Sequence, residues 1–344
     1  MEEAILYTKL SDGKVQCNVC IKRCVIKEKN TGHCGTRIYR DGKLYSLIYG
    51  VVASWAISPI EKKPMYHFYP GSLWLSLGSY GCNFRCPGCQ NWDISHVQIG
   101  KNKNPEKKLS FGEYVSPEEL IKNAIKHNCK GISWTYNEPS IWIEYILDGA
   151  RLAKESGLLT NLVTNGSMTE EALEIISPYL DSMRIDLKGF SQNTYKKIAH
   201  IKEFYPILNL IKKAKNEKGI FVEIITNVIP EYNDKENELR EIAKWIKENL
   251  GEETPWHVTR FFPYLKLSHL TETPIINLEK AREIGREAGL KYVYLGNVPG
   301  HPGENTYCPE CGRMIIQRFS LSLFEINLNG NKCYFCGNEI HGKF

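Results

Sequence analysis

The chain of 344 residues has no uninterrupted apolar run of about 18 residues, so no membrane-spanning helix is expected. Its opening, Met1-Glu2-Glu3-Ala4, is acidic where a secretory leader is basic, and no apolar core follows. A signal peptide is therefore not expected, and the cytoplasm is the expected compartment. The chain also lacks a strong charge of one sign. Its 44 Lys and Arg stand against 39 Asp and Glu, a formal net charge of +5. That count takes every cysteine as neutral. Zinc held by four thiolates carries about −2, and a cubane held by three carries about −1. Two such zinc sites and one such cluster bring the loaded chain close to neutral, so the charge gives little reason to expect a nucleic-acid partner. Disorder is excluded by composition, with 42% hydrophobic and 24% charged residues.

The most informative shortage is a single cysteine. Gly81-Cys82-Asn83-Phe84-Arg85-Cys86-Pro87-Gly88-Cys89-Gln90-Asn91 carries three cysteines in C-x3-C-x2-C spacing and has no fourth. In a reducing compartment, thiolates at this density read as ligands of an iron–sulfur cluster rather than as disulfides. Three ligands leave one iron of a cubane open. The alternatives are a three-ligand zinc site, or a cluster completed by Cys129, which stands alone and reads as a small core residue.

Of twelve cysteines, eight more fall into two groups. Cys17, Cys20, Cys24 and Cys34 read as a tetrahedral zinc site, with a second iron–sulfur cluster as the alternative. His33 is a possible substitute ligand that four cysteines make unnecessary. Cys308, Cys311, Cys333 and Cys336 form two C-x2-C-G knuckles, a strong zinc-ribbon signal with rubredoxin-like iron as runner-up. Structural stabilisation is the default role for the metal at both ends.

Between these groups the pattern alternates. Strands are predicted at 73–78, 131–135, 159–164, 182–187, 220–228, 256–262 and 291–295. Helices are predicted at 117–128, 141–156, 169–177, 192–199 with 204–217, 234–250 and 277–288. Ser116-Pro117-Glu118-Glu119 is a helix start by capping, proline placement and charge. Leu44 to Ala53 reads as a hairpin broken at Gly50. Pro59 to Gly71 reads as an ordered loop, in which His67 is as readily a packed histidine as a site residue. His96 to Lys108 reads as a solvated loop, with a lid as the alternative. Regular alternation implies α/β architecture with parallel strands, whose chemistry sits at their carboxyl ends. The expected domains are residues 1–55 (a four-cysteine metal-binding segment and hairpin), 56–299 (the α/β core) and 300–344 (the ribbon).

These features together resemble the radical S-adenosylmethionine (SAM) enzymes, and most closely the radical SAM protein of the AmmeMemoRadiSam system, a group related to pyruvate formate-lyase activating enzyme. The resemblance rests on the early cysteines, Pro59 to Gly71, Gly81 to Trp92, Thr135-Tyr136-Asn137-Glu138-Pro139, Val163-Thr164-Asn165-Gly166, Asp186-Leu187-Lys188 and Trp256 to Pro263. It implies a partial (β/α)6 TIM-like barrel and a [4Fe–4S] cluster on Cys82, Cys86 and Cys89 whose open iron takes SAM. It further implies reductive SAM cleavage followed by hydrogen abstraction from a small-molecule or protein substrate.

By the same match, Tyr136, Asn137 and Glu138 stand where the SAM ammonium is received. Thr164, Asn165, Asp186 and Lys188 stand where its carboxylate and ribose are held, and Asn227 and Ile229 lie near adenine. His257 and Arg260 are candidates to face cofactor or substrate, although strand alternation puts them on opposite faces. Gly88 departs from the aromatic residue usual before the third cysteine, and Tyr80 or Trp92 is expected to fill that space. Val163 replaces an aspartate that binds a monovalent cation in activating enzymes, which weighs against that cation here. The implied partners are an external one-electron reductant, a Memo-like protein (related to extradiol dioxygenases) and an AMMECR-type protein. Glycyl-radical activation, RNA modification and a non-catalytic metal-binding regulator are the competing functions.

Overall fold

A computed structural model describes residues 1–99 and 112–344. The chain divides into two compact units. The first comprises Met1–Ser58, Trp74–Met183 and Tyr205–Ile220; the second comprises Pro59–Leu73, Arg184–Phe204 and Phe221–Phe344. No described helix is long and apolar enough to cross a membrane. Of the loop from His96 to Lys108, residues 100–108 lie outside the described residues.

In the first unit, strands β1 (Leu73–Gly78), β2 (Gly131–Trp134) and β3 (Leu159–Thr164) are parallel, with β2 paired to both neighbours. Beyond Leu73 and Leu159 every residue of these strands is buried, which explains their nearly continuous apolar sequence. Helix α1 (Pro117–Lys126) begins with the expected capping box: Ser116 accepts from the Glu119 amide, and Glu119 reaches back to the Ser116 amide. The predicted helix 141–156 starts as a 3-10 turn at Pro139–Trp142 and continues as α2 (Ile143–Glu155). Helix α3 (Glu170–Ile176) follows, capped by the Thr169 hydroxyl. Cys129 is buried, as expected.

The hairpin expected within Leu44–Ala53 forms differently. Lys43–Ser46 pairs with Arg37–Arg40, whereas Val51–Val52 pairs with Glu113–Tyr114. Gly50 (φ +72) turns the chain away between them rather than folding it back on itself.

The chain leaves the first unit along β4 (Ser182–Asp186) and enters the second. There β6 (Trp256–Arg260) pairs in parallel with β5 (Phe221–Val228) and β7 (Val293–Gly296). Helices α4 (Gln192–Ala199), α6 (Glu236–Leu250) and α7 (Ile275–Glu287) belong to this unit, and α5 (Tyr205–Lys212), ending in a π turn at Lys213–Glu217, to the first.

The segment Pro59–Leu73 is ordered by the chain's C-terminus. Arg318 donates to the Tyr66 carbonyl at 2.8 Å and lies over the Tyr66 ring, 4.2 Å from its centroid. His67 Nδ1 lies 2.5 Å from the His341 carbonyl and Nε2 lies 2.5 Å from the Tyr294 hydroxyl. A carbonyl only accepts, so Nδ1 carries the proton and Nε2 accepts from Tyr294. His67 is thus a packed, doubly bonded histidine.

Candidate active site

The cysteine loop leaves β1 through Gly78 and Gly81. A Cβ at Gly78 would sit 2.5 Å from the Thr135 carbonyl, so only glycine lets the ends of β1 and β2 approach this closely. Gly81 has φ +83 and turns the chain into Cys82. Cys82, Cys86 and Cys89 are all half-buried. The Phe84 amide donates to the Cys82 sulfur at 3.3 Å, and the Ser95 hydroxyl lies 3.1 Å from the Cys89 sulfur. Burial pushes the Cys82 thiol far above its ordinary range, and the Glu138 carboxylate and Cys86 push it further. A thiolate there needs a nearby cation, so the donor set fits a positively charged cluster core.

Glu138 is buried at the end of β2 and joins it to β3. Its Oε1 accepts from the Ser140 amide (3.0 Å) and the Thr164 hydroxyl (2.8 Å), and its Oε2 accepts from the Asn165 amide (2.8 Å). Burial raises its carboxyl, with these donors opposing. It also caps the 3-10 turn at Pro139, so the helix-start reading and the site reading meet in one residue. Asn137 bridges the Ser79 amide (3.2 Å) and the Gly81 carbonyl (2.9 Å). Tyr136 has φ +71, and its carbonyl accepts from Asn91 at 2.7 Å. Tyr80 is buried, whereas Trp92 is 47% exposed at the start of a single helical turn.

Three contributors were not singled out in the sequence. Asn83 donates to Ser167 (2.6 Å) and accepts from the Asn165 side chain (3.0 Å). Asn91 holds Tyr136, as above. Arg85 donates to the carbonyls of Cys82 (2.7 Å) and His33 (3.0 Å). Their sequence signal was polar side chains within a loop that must satisfy its own backbone.

The remaining candidates belong to the second unit. Lys188 pairs with Asp186 at 2.8 Å, and Arg184 pairs with the other Asp186 oxygen. Burial alone would raise the Asp186 carboxyl; the two cations outweigh it and hold the group below its ordinary range. Asn233 accepts from the Ile229 amide (2.6 Å) and donates to the Asn227 carbonyl (2.8 Å). Asn227 Oδ1 is buried and has no hydrogen-bond partner among the described residues. His257 is buried with its Nε2 2.6 Å from Glu223 Oε2 and packs against Tyr66 and Tyr294. Arg260, the last residue of β6, pairs with Glu272 at 2.6 Å and is half-buried.

The two outer cysteine groups differ in geometry. The four ribbon sulfurs lie within 4.8 Å of one another, with Cys308 and Cys336 at 3.6 Å and Cys311 and Cys333 at 3.8 Å. Cys17, Cys20, Cys24 and Cys34 instead line one cleft together with Lys22, Arg37, Asn83 and Ile141.

The chain is 43% identical over 342 residues to an uncharacterised protein of Methanocaldococcus jannaschii, covering 99% of each. It is 24% identical over 217 residues to the pyruvate formate-lyase-activating enzyme of Clostridium pasteurianum, covering 59% of this chain and 85% of that one. Among solved structures, a domain of pyruvate-formate lyase-activating enzyme from Bacteroides vulgatus aligns with a TM-score of 0.42 at 15% identity, over 48% of this chain and 99% of that chain. A radical SAM methyltransferase from Sphaerobacter thermophilus aligns at 0.48 and 14% identity, over 69% and 71% respectively. Residues 77–246, from the end of β1 to within α6, match the profile of the Radical SAM superfamily, and it is to this superfamily that the chain belongs.

Proposed function

We propose that the chain is a radical SAM enzyme in which Cys82, Cys86 and Cys89 hold a site-differentiated [4Fe–4S] cluster, on a partial (β/α)6 barrel. When bound, cluster and SAM supply a one-electron reductive cleavage that ends in hydrogen abstraction from a small-molecule or protein substrate. The observation that carries this reading is the three-cysteine loop at the end of β1, joined to the buried Glu138 carboxylate through Asn165 and Asn83, the residue after Cys82.

In this reading Glu138, held by Ser140, Thr164 and Asn165, receives the SAM ammonium beside Tyr136 and Asn137. Thr164, Asn165, Asp186 and Lys188 hold the carboxylate and ribose. Asn227 and Ile229 border the adenine, with Tyr80 or Trp92 replacing the aromatic side chain that Gly88 lacks. Arg260 closes the sixth strand and is the candidate of the two to face cofactor or substrate, whereas His257, second in that strand, is held by Glu223. The segments 1–55, 56–299 and 300–344 act as an N-terminal metal-binding segment, catalytic core and ribbon. The ribbon takes zinc: a Zn–S bond of about 2.3 Å sets a tetrahedral edge of about 3.8 Å, and the sulfur pairs stand at 3.6 and 3.8 Å.

The test is anaerobic reconstitution, reduction and assay for 5′-deoxyadenosine. Product from the native chain and none from Cys82→Ala supports the reading; no product from a native chain carrying the cluster overturns it.

The similarity to an activating enzyme favours glycyl-radical activation as the second reading, tested by a glycyl doublet in electron paramagnetic resonance on a partner enzyme. Membership of the AmmeMemoRadiSam system, in the cytoplasm, with an external reductant and Memo-like and AMMECR-type partners, is the narrower proposal. Co-purification with those two proteins tests it.

A further inference from the structure

Cys17, Cys20, Cys24 and Cys34 form a built thiolate site. Donors reach all four sulfurs: the Val19 backbone for Cys17, the Asn83 side chain for Cys20, the His33 amide for Cys24 (3.4 Å) and the Thr36 hydroxyl for Cys34 (3.2 Å). Val19, Ile26 and Ile141 supply apolar walls, and Lys22 and Arg37 stand at the lining. This set of donors is common to zinc and iron–sulfur sites, so the choice of metal turns on how far the sulfurs converge.

The ribbon provides the internal comparison. Its sulfurs converge within 4.8 Å, as a single ion requires. Among the described residues, no other group of three or more ligand atoms converges to that extent. The N-terminal sulfurs instead line one narrow, apolar-walled cleft without converging to that extent. A cubane places its own irons and sulfides between the cysteine sulfurs and holds them apart, which a lone zinc does not.

The cleft also adjoins the active-site loop. Asn83 lines it and is covalently joined to Cys82. A Cβ on Gly81 would lie 2.9 Å from the Cys34 carbonyl and 2.5 Å from Thr36 Cγ2, so the two cysteine loops rest on one another. We propose that Cys17, Cys20, Cys24 and Cys34 hold a second iron–sulfur cluster, of the four-iron type, beside the Cys82 loop. This site stands independently of the catalytic reading above.

The full-length chain with Cys82→Ala, Cys86→Ala and Cys89→Ala, reconstituted anaerobically with iron and sulfide, is expected to retain about four irons and four sulfides per chain, and to give a reduced-cluster resonance signal. Zinc near two per chain with no bound iron overturns the proposal. As a second arm, Cys17→Ser with Cys24→Ser in the otherwise native chain should lower iron from about eight to about four. Unchanged iron in that variant overturns the proposal as well. Neither readout uses SAM cleavage, so failure of the catalytic reading is separately visible.

Discussion

The Oε2 atom of Glu138 accepts the backbone N–H of Asn165 at 2.8 Å, and together with the Thr164 hydroxyl on Oε1 this bond ties the end of β2 to the end of β3 across the candidate site. Both carboxylate oxygens face donors. Glu138→Gln therefore turns an NH2 group toward at least one N–H or O–H. The expected loss is about 1–3 kcal/mol, the cost of a buried donor without an acceptor. Denaturant unfolding of native and variant chains measures it. Affinity for SAM should fall with it, because the variant also lacks the negative charge assigned to the ammonium.

Arg37 and Glu144 form a buried bidentate pair within the first unit, at 2.9 and 2.7 Å, with side chains only 2% and 3% exposed. Arg37 lies on the strand that follows Cys34, and Glu144 lies in the first turn of α2. Removing one partner strands the other charge. Arg37→Met should cost about 3–5 kcal/mol, whereas Arg37→Met with Glu144→Leu should recover most of that loss. A double-mutant cycle in guanidinium measures both. Additive losses would show that the pair contributes no coupling.

His67 sets a pH dependence in the second unit. Burial is the main cause that pushes its imidazole down, to about 4, with Glu223 opposing. An unfolded chain takes up that proton below about 6.5. The folded chain resists until about 4, so stability is complete above about 6.5 and falls as pH drops toward 4. The loss amounts to roughly 3 kcal/mol. Burial pushes His257 down too, which adds in the same direction. Unfolding midpoints from pH 7.5 to pH 4 should therefore fall steeply in the native chain. His67→Asn should be less stable at pH 7.5 but show a shallower fall.

Much of this architecture was legible because strand and helix periodicities are local. β1 and β3 and the capping box of α1 appear where the residues predict them. The convergence of Cys308, Cys311, Cys333 and Cys336 was legible because ligand spacing is set by coordination chemistry. Strand pairing was not legible where partners are distant in sequence: Val51–Val52 finds Glu113–Tyr114, about 60 residues away, rather than its neighbour across Gly50. His257 read as a candidate to face cofactor or substrate, and its burial against Glu223 depends on how β5 and β6 register. Asn83 escaped notice for a similar reason. Its partners, Cys20, Asn165 and Ser167, come from segments that only the fold brings together.

The same dependence makes Gly81 a sharp test of how the cysteine loop is held. Two separate costs attend Gly81→Ala. The first is conformational, about 1 kcal/mol for an alanine in the left-handed region. The second is steric, because the new methyl would lie 2.9 Å from the Cys34 carbonyl and 2.5 Å from Thr36 Cγ2. The carbonyl belongs to backbone and has little freedom to retreat, so the Cys82 loop must move instead. Gly157→Ala separates the two costs: Gly157 has φ +72, and its added methyl meets nothing within 4 Å. Gly157→Ala should lose about 1 kcal/mol of stability and keep its full iron content. Gly81→Ala should lose iron and 5′-deoxyadenosine formation together. Equal iron in the two variants would mean that the contact with Cys34 and Thr36 plays no part in holding the cysteine loop.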